Sequence, residues 1–294
     1  MTGIIPLYKE ENTTSFFAVA KVRRIAGEKK AGHTGTLDPN ATGVLPIALG
    51  GATRFIELLP THKKAYRATF KTGVETDTLD IWGKVLRTTD KSATLQELVA
   101  IAENFKGEIF QLPPMFSALK KDGVRLYELA RKGEEVEREP RKCYIYALEI
   151  GEENGEYTLY CECSAGTYVR TLISDIGDMA GTGAVMTSLE RVYACGVSKD
   201  ECYTLEQLRE LAENGEIQKA VISVEKLLED YPAVNVTENQ GNRFKNGGDL
   251  MSERVKGLTS EGLYRVYADN KFLGLGEYSK DSASLLVKRV FVER

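Results

Sequence analysis

The most informative part of this chain is the stretch Gly32-His33-Thr34-Gly35-Thr36-Leu37-Asp38-Pro39-Asn40-Ala41-Thr42-Gly43-Val44-Leu45-Pro46. Three glycines and two prolines in fifteen residues predict a shaped loop rather than a regular helix or a central strand. Pro39 favours an extended backbone at Asp38, which projects the carboxylate away from the chain. Most Asp-Pro pairs are simple turns. Loops on a rigid scaffold nevertheless carry much of catalysis, so Asp38 is a candidate catalytic residue.

The composition predicts a globular protein outside the membrane. A chain of 294 residues is long enough for one large core and a small second domain. Charged residues make up 28%, the mean hydropathy is -0.28, and no apolar run approaches the roughly 18 residues of a membrane helix. Residues 1–6 do not have the pattern of a signal peptide. We therefore expect a cytoplasmic location and no membrane partner.

The cysteines and histidines do not predict a metal site. The chain has five cysteines and two histidines, and no two cysteines form a C-x-x-C pair. Cys161 and Cys163 lie two residues apart in a strand-like run, so they share one face. Scattered thiols in a reducing compartment are usually structural. We expect no metal ion and inert, structural cysteines.

The charge is unevenly distributed along the chain. Residues 1–150 carry 23 Lys and Arg against 19 Asp and Glu, whereas residues 151–294 carry 16 against 24. The basic residues of the first half form short clusters: Lys21/Arg23/Arg24, Lys29/Lys30, Lys63/Lys64/Arg67, Lys120/Lys121/Arg125 and Arg138/Arg141/Lys142. A basic groove on an acidic body would suit a nucleic-acid partner, although a charge run is more often only a solvated face.

Periodicity and capping signals place the main elements. Alternating patterns predict strands near residues 3–8, 66–72, 84–87, 143–150 and 156–163, with an extended segment at 111–118. Helices are predicted from a cap at Thr14 or Ser15 through Phe16 and Ile25 until Gly27, from 95 to 105, within 164–180 and from 204 to 228. The second and fourth of these helices begin with the capping boxes Thr94-Leu95-Gln96-Glu97 and Thr204-Leu205-Glu206-Gln207.

Two domains are expected. At Tyr231-Pro232 the pattern changes to short β-rich segments, at 233–237, 263–269, 271–278 and 285–292. We therefore expect one domain at 1–230 and a small β-rich domain at 231–294. The larger domain is expected to contain a basic, helix-like insertion at about 120–142.

The run from Gly32 to Pro46 resembles the signature of the TruB family, the bacterial tRNA pseudouridine synthases that act on uridine 55 of the T loop. A second run, Ser164-Ala165-Gly166-Thr167-Tyr168-Val169-Arg170, resembles the Ser-x-Gly-Thr-Tyr-x-Arg element of that family. The resemblance covers nearly the whole chain and is strongest at residues 32–46, 66, 75–80, 111–118 and 164–191.

One loop departs from the family pattern. TruB-type enzymes usually have Lys-Pro-x-Gly-x-Thr-Ser there, and this chain keeps Lys9, Thr14 and Ser15 but has Glu10 for the proline and Asn12 for the glycine. Asparagine is the next best residue for a left-handed backbone, so the turn can survive.

The resemblance implies a fold and a reaction. The fold is α+β, the pseudouridine synthase fold with a central mixed, mostly antiparallel sheet flanked by helices and a C-terminal PUA-like RNA-binding domain. The reaction breaks the glycosidic N–C bond of uridine and remakes it as a C–C bond after the base has rotated. It needs no redox step, so no cofactor is implied. The expected partner is the T stem-loop of tRNA, and a monomer is expected.

The resemblance also implies the active-site residues. Asp38 corresponds to the catalytic aspartate, and Arg170 would pair with it, since a neighbouring cation favours the ionised form of a carboxylate. Tyr66 corresponds to the tyrosine that stacks on the uracil and is a candidate for proton transfer. By the same likeness Tyr168 and Leu189 wall the base, His33 fills the space of displaced nucleotides, and Lys9, Lys63, Lys64 and the insertion contact phosphates. Without the resemblance the aromatic residues would be read as core.

Three questions stay open at this level. Asp38 could attack C6 of the base, attack C1′ of the sugar or remove the proton at C2′. The altered loop from Lys9 to Ser15 motivates an alternative function, a non-catalytic RNA-binding or tRNA-folding protein of the same fold. A phosphate-binding loop protein is a weaker alternative, because the Gly-Lys-Ser/Thr ending of such loops is absent.

Overall fold

The structure is a computed structural model, and it describes residues 1–292. The strands up to residue 198 are β1 (Gly3–Lys9), β2 (Ala31–His33), β3 (Thr42–Leu49), β4 (Lys63–Thr72), β5 (Val74–Thr76), β6 (Val85–Thr88), β7 (Gly107–Gln111), β8 (Lys120–Lys121), β9 (Val124–Arg125), β10 (Arg141–Glu153), β11 (Glu156–Ser164), β12 (Ala184–Ala194) and β13 (Val197–Ser198). The helices up to residue 227 are α1 (Ser15–Ile25), α2 (Leu95–Ala102), α3 (Leu126–Arg131), α4 (Val169–Met179), α5 (Leu205–Glu213) and α6 (Val224–Leu227). They are followed by β14 (Ala233–Asn235), α7 (Glu238–Lys245), β15 (Leu250–Met251), β16 (Gly262–Ala268), β17 (Lys271–Ser279) and β18 (Ser284–Val290).

The central sheet has the strand order β1-β3-β12-β4-β11-β10-β7, with β2 beside β3 and β13 beside β12. All of its pairings are antiparallel except that of β3 with β12. The expected α+β fold with a mixed, mostly antiparallel sheet is confirmed. The expected capping boxes of α2 and α5 are also present.

One face of the sheet is covered by helices and forms the main core. Alternate residues of β11, namely Leu159, Cys161 and Cys163, are buried there with Leu172 and Ile176 of α4. The period of two along a strand places these side chains on the same face. Cys161 and Cys163 are free thiols inside this apolar cluster, in keeping with a structural role.

Residues 233–290 form a second sheet, with the order β14-β16-β17-β18-β15. An aromatic cluster joins it to the first part of the chain, because the rings of Phe272 and Phe291 lie 6.3 and 5.9 Å from that of Phe55. The Tyr231 hydroxyl donates a hydrogen bond to the Leu58 carbonyl at 3.1 Å. Among the described residues no helix has the length and apolar character needed to cross a membrane.

The stretch from Gly32 to Pro46 is not a loop throughout, which corrects the sequence-based expectation. Its ends belong to β2 and β3, and only residues 34–41 lie outside strands. Pro46 faces Pro6 in the pairing of β1 with β3. The two carbonyl groups accept hydrogen bonds from Tyr203 and Thr34, on the sides away from each other. In a strand the nitrogen and the carbonyl of one residue point to the same side. The nitrogens of Pro6 and Pro46 therefore also point away from the other strand, and no hydrogen bond between β1 and β3 is lost.

Other segments also differ from the expectation. Strand β12 was not predicted, because two register shifts interrupt its alternating pattern. Helix α7 was not predicted either. The insertion at 120–142 is a β8–β9 hairpin followed by the six-residue helix α3, and residues 134–140 have no regular structure. The helix expected from 204 to 228 is divided into α5, a 3-10 turn and α6.

Replacing Gly43 by alanine tests the parallel contact between β3 and β12. Gly43 has a φ of +105°, and an added Cβ would lie 2.2 Å from the carbonyl oxygen of Arg191. We expect the free energy of unfolding in urea to fall by more than about 3 kcal/mol, because both strain and a backbone clash arise. Gly155→Ala is the control, since its φ is +78° and nothing lies within 4 Å of the added Cβ. An equal loss in both variants would show that the clash is unimportant.

Candidate active site

A buried arginine forms hydrogen bonds to the backbone of the loop at residues 34–41. Arg191 of β12 has no exposed surface, and its guanidinium donates to the carbonyl oxygens of Gly35 at 3.1 Å and Thr36 at 3.2 Å. The same side chain donates from Nε to the Val44 carbonyl of β3 at 2.8 Å. Within residues 1–292 it forms no ion pair. One side chain thus ties the start of the loop to the strand that follows it.

Ser15 and Lys9 hold the rest of the loop. The Ser15 hydroxyl bonds both the amide and the carbonyl of Leu37, each at 2.9 Å. The Lys9 ammonium donates to the carbonyl oxygens of Pro39 at 3.0 Å, Glu10 at 2.9 Å and Thr13 at 2.7 Å. These contacts leave the backbone of the loop little freedom around its aspartate.

Lys9 therefore cannot contact a phosphate, and that expectation is wrong. Lys9 is only 1% exposed, and its ammonium group donates all three of its hydrogens to carbonyl oxygens. Burial lowers the pKa of Lys9 to about 8, although the nearby charge of Asp38 raises it. The altered segment keeps its turn, because Asn12 adopts the left-handed backbone with φ 58° and Thr14 caps α1.

The Asp38 carboxylate is the exposed part of this rigid loop. Its side chain is 48% exposed, and Oδ2 lies 3.2 Å from Nη2 of Arg170, the pairing that the family resemblance implied. The Arg170 side chain is only 7% exposed, and Nη1 lies 3.5 Å from Oδ2 of Asp80. Nη2 also donates to the Phe116 carbonyl at 2.6 Å. Arg170 is thus fixed between two carboxylates and a backbone oxygen.

Sequence reasoning did not assign a role to Asp80. Its Oδ1 accepts hydrogen bonds from the Thr78 hydroxyl at 2.6 Å and the Trp82 amide at 3.2 Å, so the carboxylate is itself oriented. The only signal was that Asp80 ends the segment 75–80, one of those in which the family resemblance is strongest. Arg191 was also missed. It lies two residues after Leu189 on one face of a strand, but that strand was not predicted.

The start of α4 is positioned by a buried amide. Gln111 is 1% exposed, and its side chain accepts from the Tyr168 amide at 2.9 Å and donates to the Tyr168 carbonyl at 3.2 Å. Tyr168 immediately precedes α4, so this pair of bonds fixes the first turn. Arg170 lies in that turn and is thereby aimed at Asp38.

A cavity of about 270 Å³ lies beside the Asp38 carboxylate. It brings together six of the residues that sequence reasoning selected: Asp38, Lys64, Tyr66, Tyr168, Arg170 and Leu189. His33 does not line this cavity. It lines an adjoining groove of about 990 Å³, which also reaches Asp38.

The titratable groups around the cavity are strongly affected by burial. Burial raises the pKa of Tyr66 and of Tyr168, so both phenols are protonated at neutral pH and can donate hydrogen bonds. Burial also lowers the pKa of His33, with Arg191 and Lys64 acting in the same direction, so its imidazole is neutral. Burial lowers the pKa of Lys64 to about 8, and the neighbouring Arg191 adds to this effect. Lys64 is therefore a cation inside the cavity at neutral pH.

Three sequence families match successive parts of the chain. Residues 23–169 match the family described as TruB family pseudouridylate synthase (N terminal domain). Residues 170–229 match the tRNA pseudouridylate synthase B C-terminal domain. Residues 232–291 match the family described as pseudouridine synthase II TruB, C-terminal.

Similar proteins cover the whole chain. A tRNA pseudouridine synthase B from Clostridium perfringens (strain 13 / Type A) is 44% identical over 299 residues and covers 100% of both chains. Another from Citrobacter koseri is 40% identical over 303 residues, covering 99% of this chain and 95% of that one. The structure is similar to that of a chain in the crystal structure of a Cbf5-Nop10-Gar1 complex, with a TM-score of 0.77, 27% identity and coverage of 99% of this chain and 85% of that one.

Two lysines should titrate below the usual range because of the burial described above. We expect the 13C signals of Lys9 and Lys64 to have NMR titration midpoints near pH 8. Lys9→Arg and Lys64→Arg should each remove one of these titrations. Lys63 is the internal control, because its ion pair with Glu162 raises its pKa. If both lysines stay charged to pH 10, the surroundings of both side chains are better hydrated than the geometry indicates.

Proposed function

The chain belongs to the TruB family of pseudouridylate synthases, and we propose that it converts uridine 55 in the T loop of tRNA to pseudouridine. Isomerisation of uridine is general to this family. The relatives named tRNA pseudouridine synthase B support tRNA as the substrate. The observation that carries the proposal is the half-exposed Asp38 carboxylate, held 3.2 Å from Arg170 beside a cavity with Tyr66 on its wall.

The reaction changes which atom of the uracil ring is bonded to C1′ of the ribose. The bond between N1 and C1′ breaks, the uracil rotates, a bond between C5 and C1′ forms, and the C5 proton is lost while N1 gains one. We propose that Asp38 is the nucleophile or base of this sequence. Attack at C6, attack at C1′ and removal of the C2′ proton all remain routes for a carboxylate in this position. The neutral phenols of Tyr66 and Tyr168, which line the same cavity, can donate a proton or a hydrogen bond.

The size and lining of the cavity support entry of a single everted base. The target uridine must leave its stack, which costs on the order of a few kcal/mol. Stacking of the uracil on the Tyr66 ring would return about 1–3 kcal/mol. Leu189 lines the same cavity as an apolar side chain, and Lys64 adds a cation to this lining. His33 would occupy space left by the neighbouring nucleotides in the adjoining groove.

We propose that residues 1–230 act as the catalytic domain and residues 231–294 as a PUA-like RNA-binding domain. The hairpin β8–β9 and α3 supply Lys120, Arg125 and Arg131 to the groove beside Asp38. These cations suit phosphate contacts, which position an RNA and make its binding salt-dependent. Tertiary shape of the T arm would then select the substrate.

The alternative function, a non-catalytic RNA-binding protein, was based on the altered segment from Lys9 to Ser15. The contacts of that segment do not favour it. Asn12 supports the turn there, and Lys9 and Ser15 both bind the loop that carries Asp38. The backbone of the loop that carries Asp38 is thus held in place despite the substitutions.

Replacing Asp38 by asparagine should abolish product formation while tRNA binding persists. The amide keeps the shape of the side chain but is neither a nucleophile nor a base. We expect the single-turnover rate of tritium release from 5-tritiated uridine in a T-arm transcript to fall at least about 1,000-fold. Binding in a filter assay should stay within about threefold. Asp77→Asn, at a carboxylate that bonds the Lys84 amide outside the cavity, is the matched control. Residual turnover within tenfold of wild type would defeat the assignment.

Replacing Asp80 by asparagine should slow the chemical step without unfolding the site. Asparagine can still accept from Thr78 and Trp82, but it removes one of the two negative charges that fix Arg170. We expect the single-turnover rate to fall about 10- to 100-fold at saturating RNA, with the dissociation constant nearly unchanged. A rate equal to that of wild type would show that Asp38 and the Phe116 carbonyl suffice to position Arg170.

A further inference from the structure

Two large side chains are exposed at the groove beside Asp38. The groove has a volume of about 990 Å³, and Phe16 and Trp82 are among its lining residues. Phe16 is 82% exposed and Trp82 is 45% exposed, although aromatic side chains of this size are usually more buried. Neither ring belongs to a hydrophobic core cluster of the described residues. Exposed apolar surface at a groove is typical of a binding site.

Both rings are attached to the rigid part of the active site. Phe16 follows Ser15, whose hydroxyl bonds the backbone of Leu37 next to Asp38. The Trp82 amide donates to the Asp80 carboxylate, which contacts Arg170. The backbones of the two aromatic residues are therefore fixed relative to the carboxylate at which the uridine would react.

Three cations of the insertion also line the groove, together with the carboxylates Asp38, Asp80 and Glu128 and neutral residues. Lys120, Arg125 and Arg131 come from the hairpin β8–β9 and α3, and none of them forms an ion pair with a described residue. The guanidinium carbons of Arg125 and Arg131 lie 5.9 and 5.5 Å from the centre of the Tyr127 ring. The groove thus combines flat aromatic rings with cations that have no carboxylate partner.

We propose that Phe16 and Trp82 form a stacking subsite for the unpaired nucleotides that flank the target uridine. This inference rests on the proposed function and assigns a place to the RNA outside the catalytic cavity. Eversion of one uridine takes stacking partners away from its neighbours, and an aromatic ring can replace them for any base. The phosphates of the same nucleotides would be neutralised by Lys120, Arg125 and Arg131.

The charges favour RNA over a protein as the occupant. An apolar protein segment on Phe16 and Trp82 would bury or screen three cations without giving them partners, which is unfavourable. A single-stranded nucleic acid offers ring faces and phosphates at alternating positions along its length. The lining of the groove has both complementary elements.

Trp82 provides a direct probe because it is the only tryptophan of the chain. Titration of the full-length protein with an unmodified T-arm stem-loop should quench and shift its fluorescence in a saturable way. The quenching should have the same midpoint as RNA binding in a filter assay, and both should weaken together as salt is raised. Emission that stays unchanged while RNA binds would overturn the inference.

Substitutions separate stacking from apolar packing. Phe16→Leu and Trp82→Leu keep an apolar side chain but remove the ring, and each should lower kcat/KM about tenfold through KM, with kcat nearly unchanged. Phe16→Tyr and Trp82→Phe keep a ring and should retain activity within about threefold. Phe17→Leu is the matched control, because Phe17 is 50% exposed on the same helix but does not line the groove.

The outcomes distinguish this inference from the proposed function. If the protein forms pseudouridine 55 and the leucine variants equal wild type, the stacking subsite is wrong and the function stands. If RNA quenches Trp82 and the leucine variants bind RNA about tenfold more weakly, but uridine 55 is not converted, the subsite stands and the position of modification is wrong. Quenching by a protein partner but not by RNA would replace the subsite with a protein-docking surface.

Discussion

The candidate active site depends on hydrogen bonds that fix the backbone of the loop at residues 34–41. Every carbonyl group from Gly35 to Pro39 accepts a hydrogen bond: two from Arg191, one from Ser15, one from the Ala41 amide within the loop, and one from Lys9 together with the Thr13 amide. Burying a cation is costly unless its hydrogens find acceptors. Here the carbonyl dipoles of the loop supply those acceptors. The cations and the loop therefore stabilise each other, and the Asp38 side chain is left to face the cavity.

The same arrangement sets the electrostatics of the site. Four cations, Lys9, Lys64, Arg170 and Arg191, surround or underlie the two carboxylates Asp38 and Asp80. A surplus of positive charge in a partly dry site attracts a polyanionic substrate. Arg170 is shared between the two acids, so Asp80 holds it independently of Asp38. Burial raises the pKa of Tyr66 and of Tyr168, which keeps both phenols protonated.

The topology of the sheet brings these groups together. Strand β12 pairs with β4 on one side and with β3 on the other, so Arg191 reaches a loop that is 155 residues away from it in sequence. Gly43 allows this approach, because any side chain there would meet the Arg191 backbone. The groove outside the cavity uses still other segments, the first turn of α1, the loop near Trp82 and the insertion after residue 120. The groove is thus assembled from short pieces of several elements around one rigid loop.

The sequence by itself determined several local elements and made Asp38 a candidate for chemistry. Glycines, prolines and capping residues act on their own neighbours, so the loop at Asp38, the start of α1 and the caps of α2 and α5 could be recognised without tertiary contacts. The family resemblance supplied the pairing of Asp38 with Arg170, which the distance confirms. Only the tertiary structure decided that Lys9 is a buried support, that Asp80 shares Arg170 and that Arg191 holds the loop. Those roles follow from hydrogen bonds and burial between segments far apart in the chain, and residue type and spacing alone do not encode which distant carbonyl a lysine or arginine will meet.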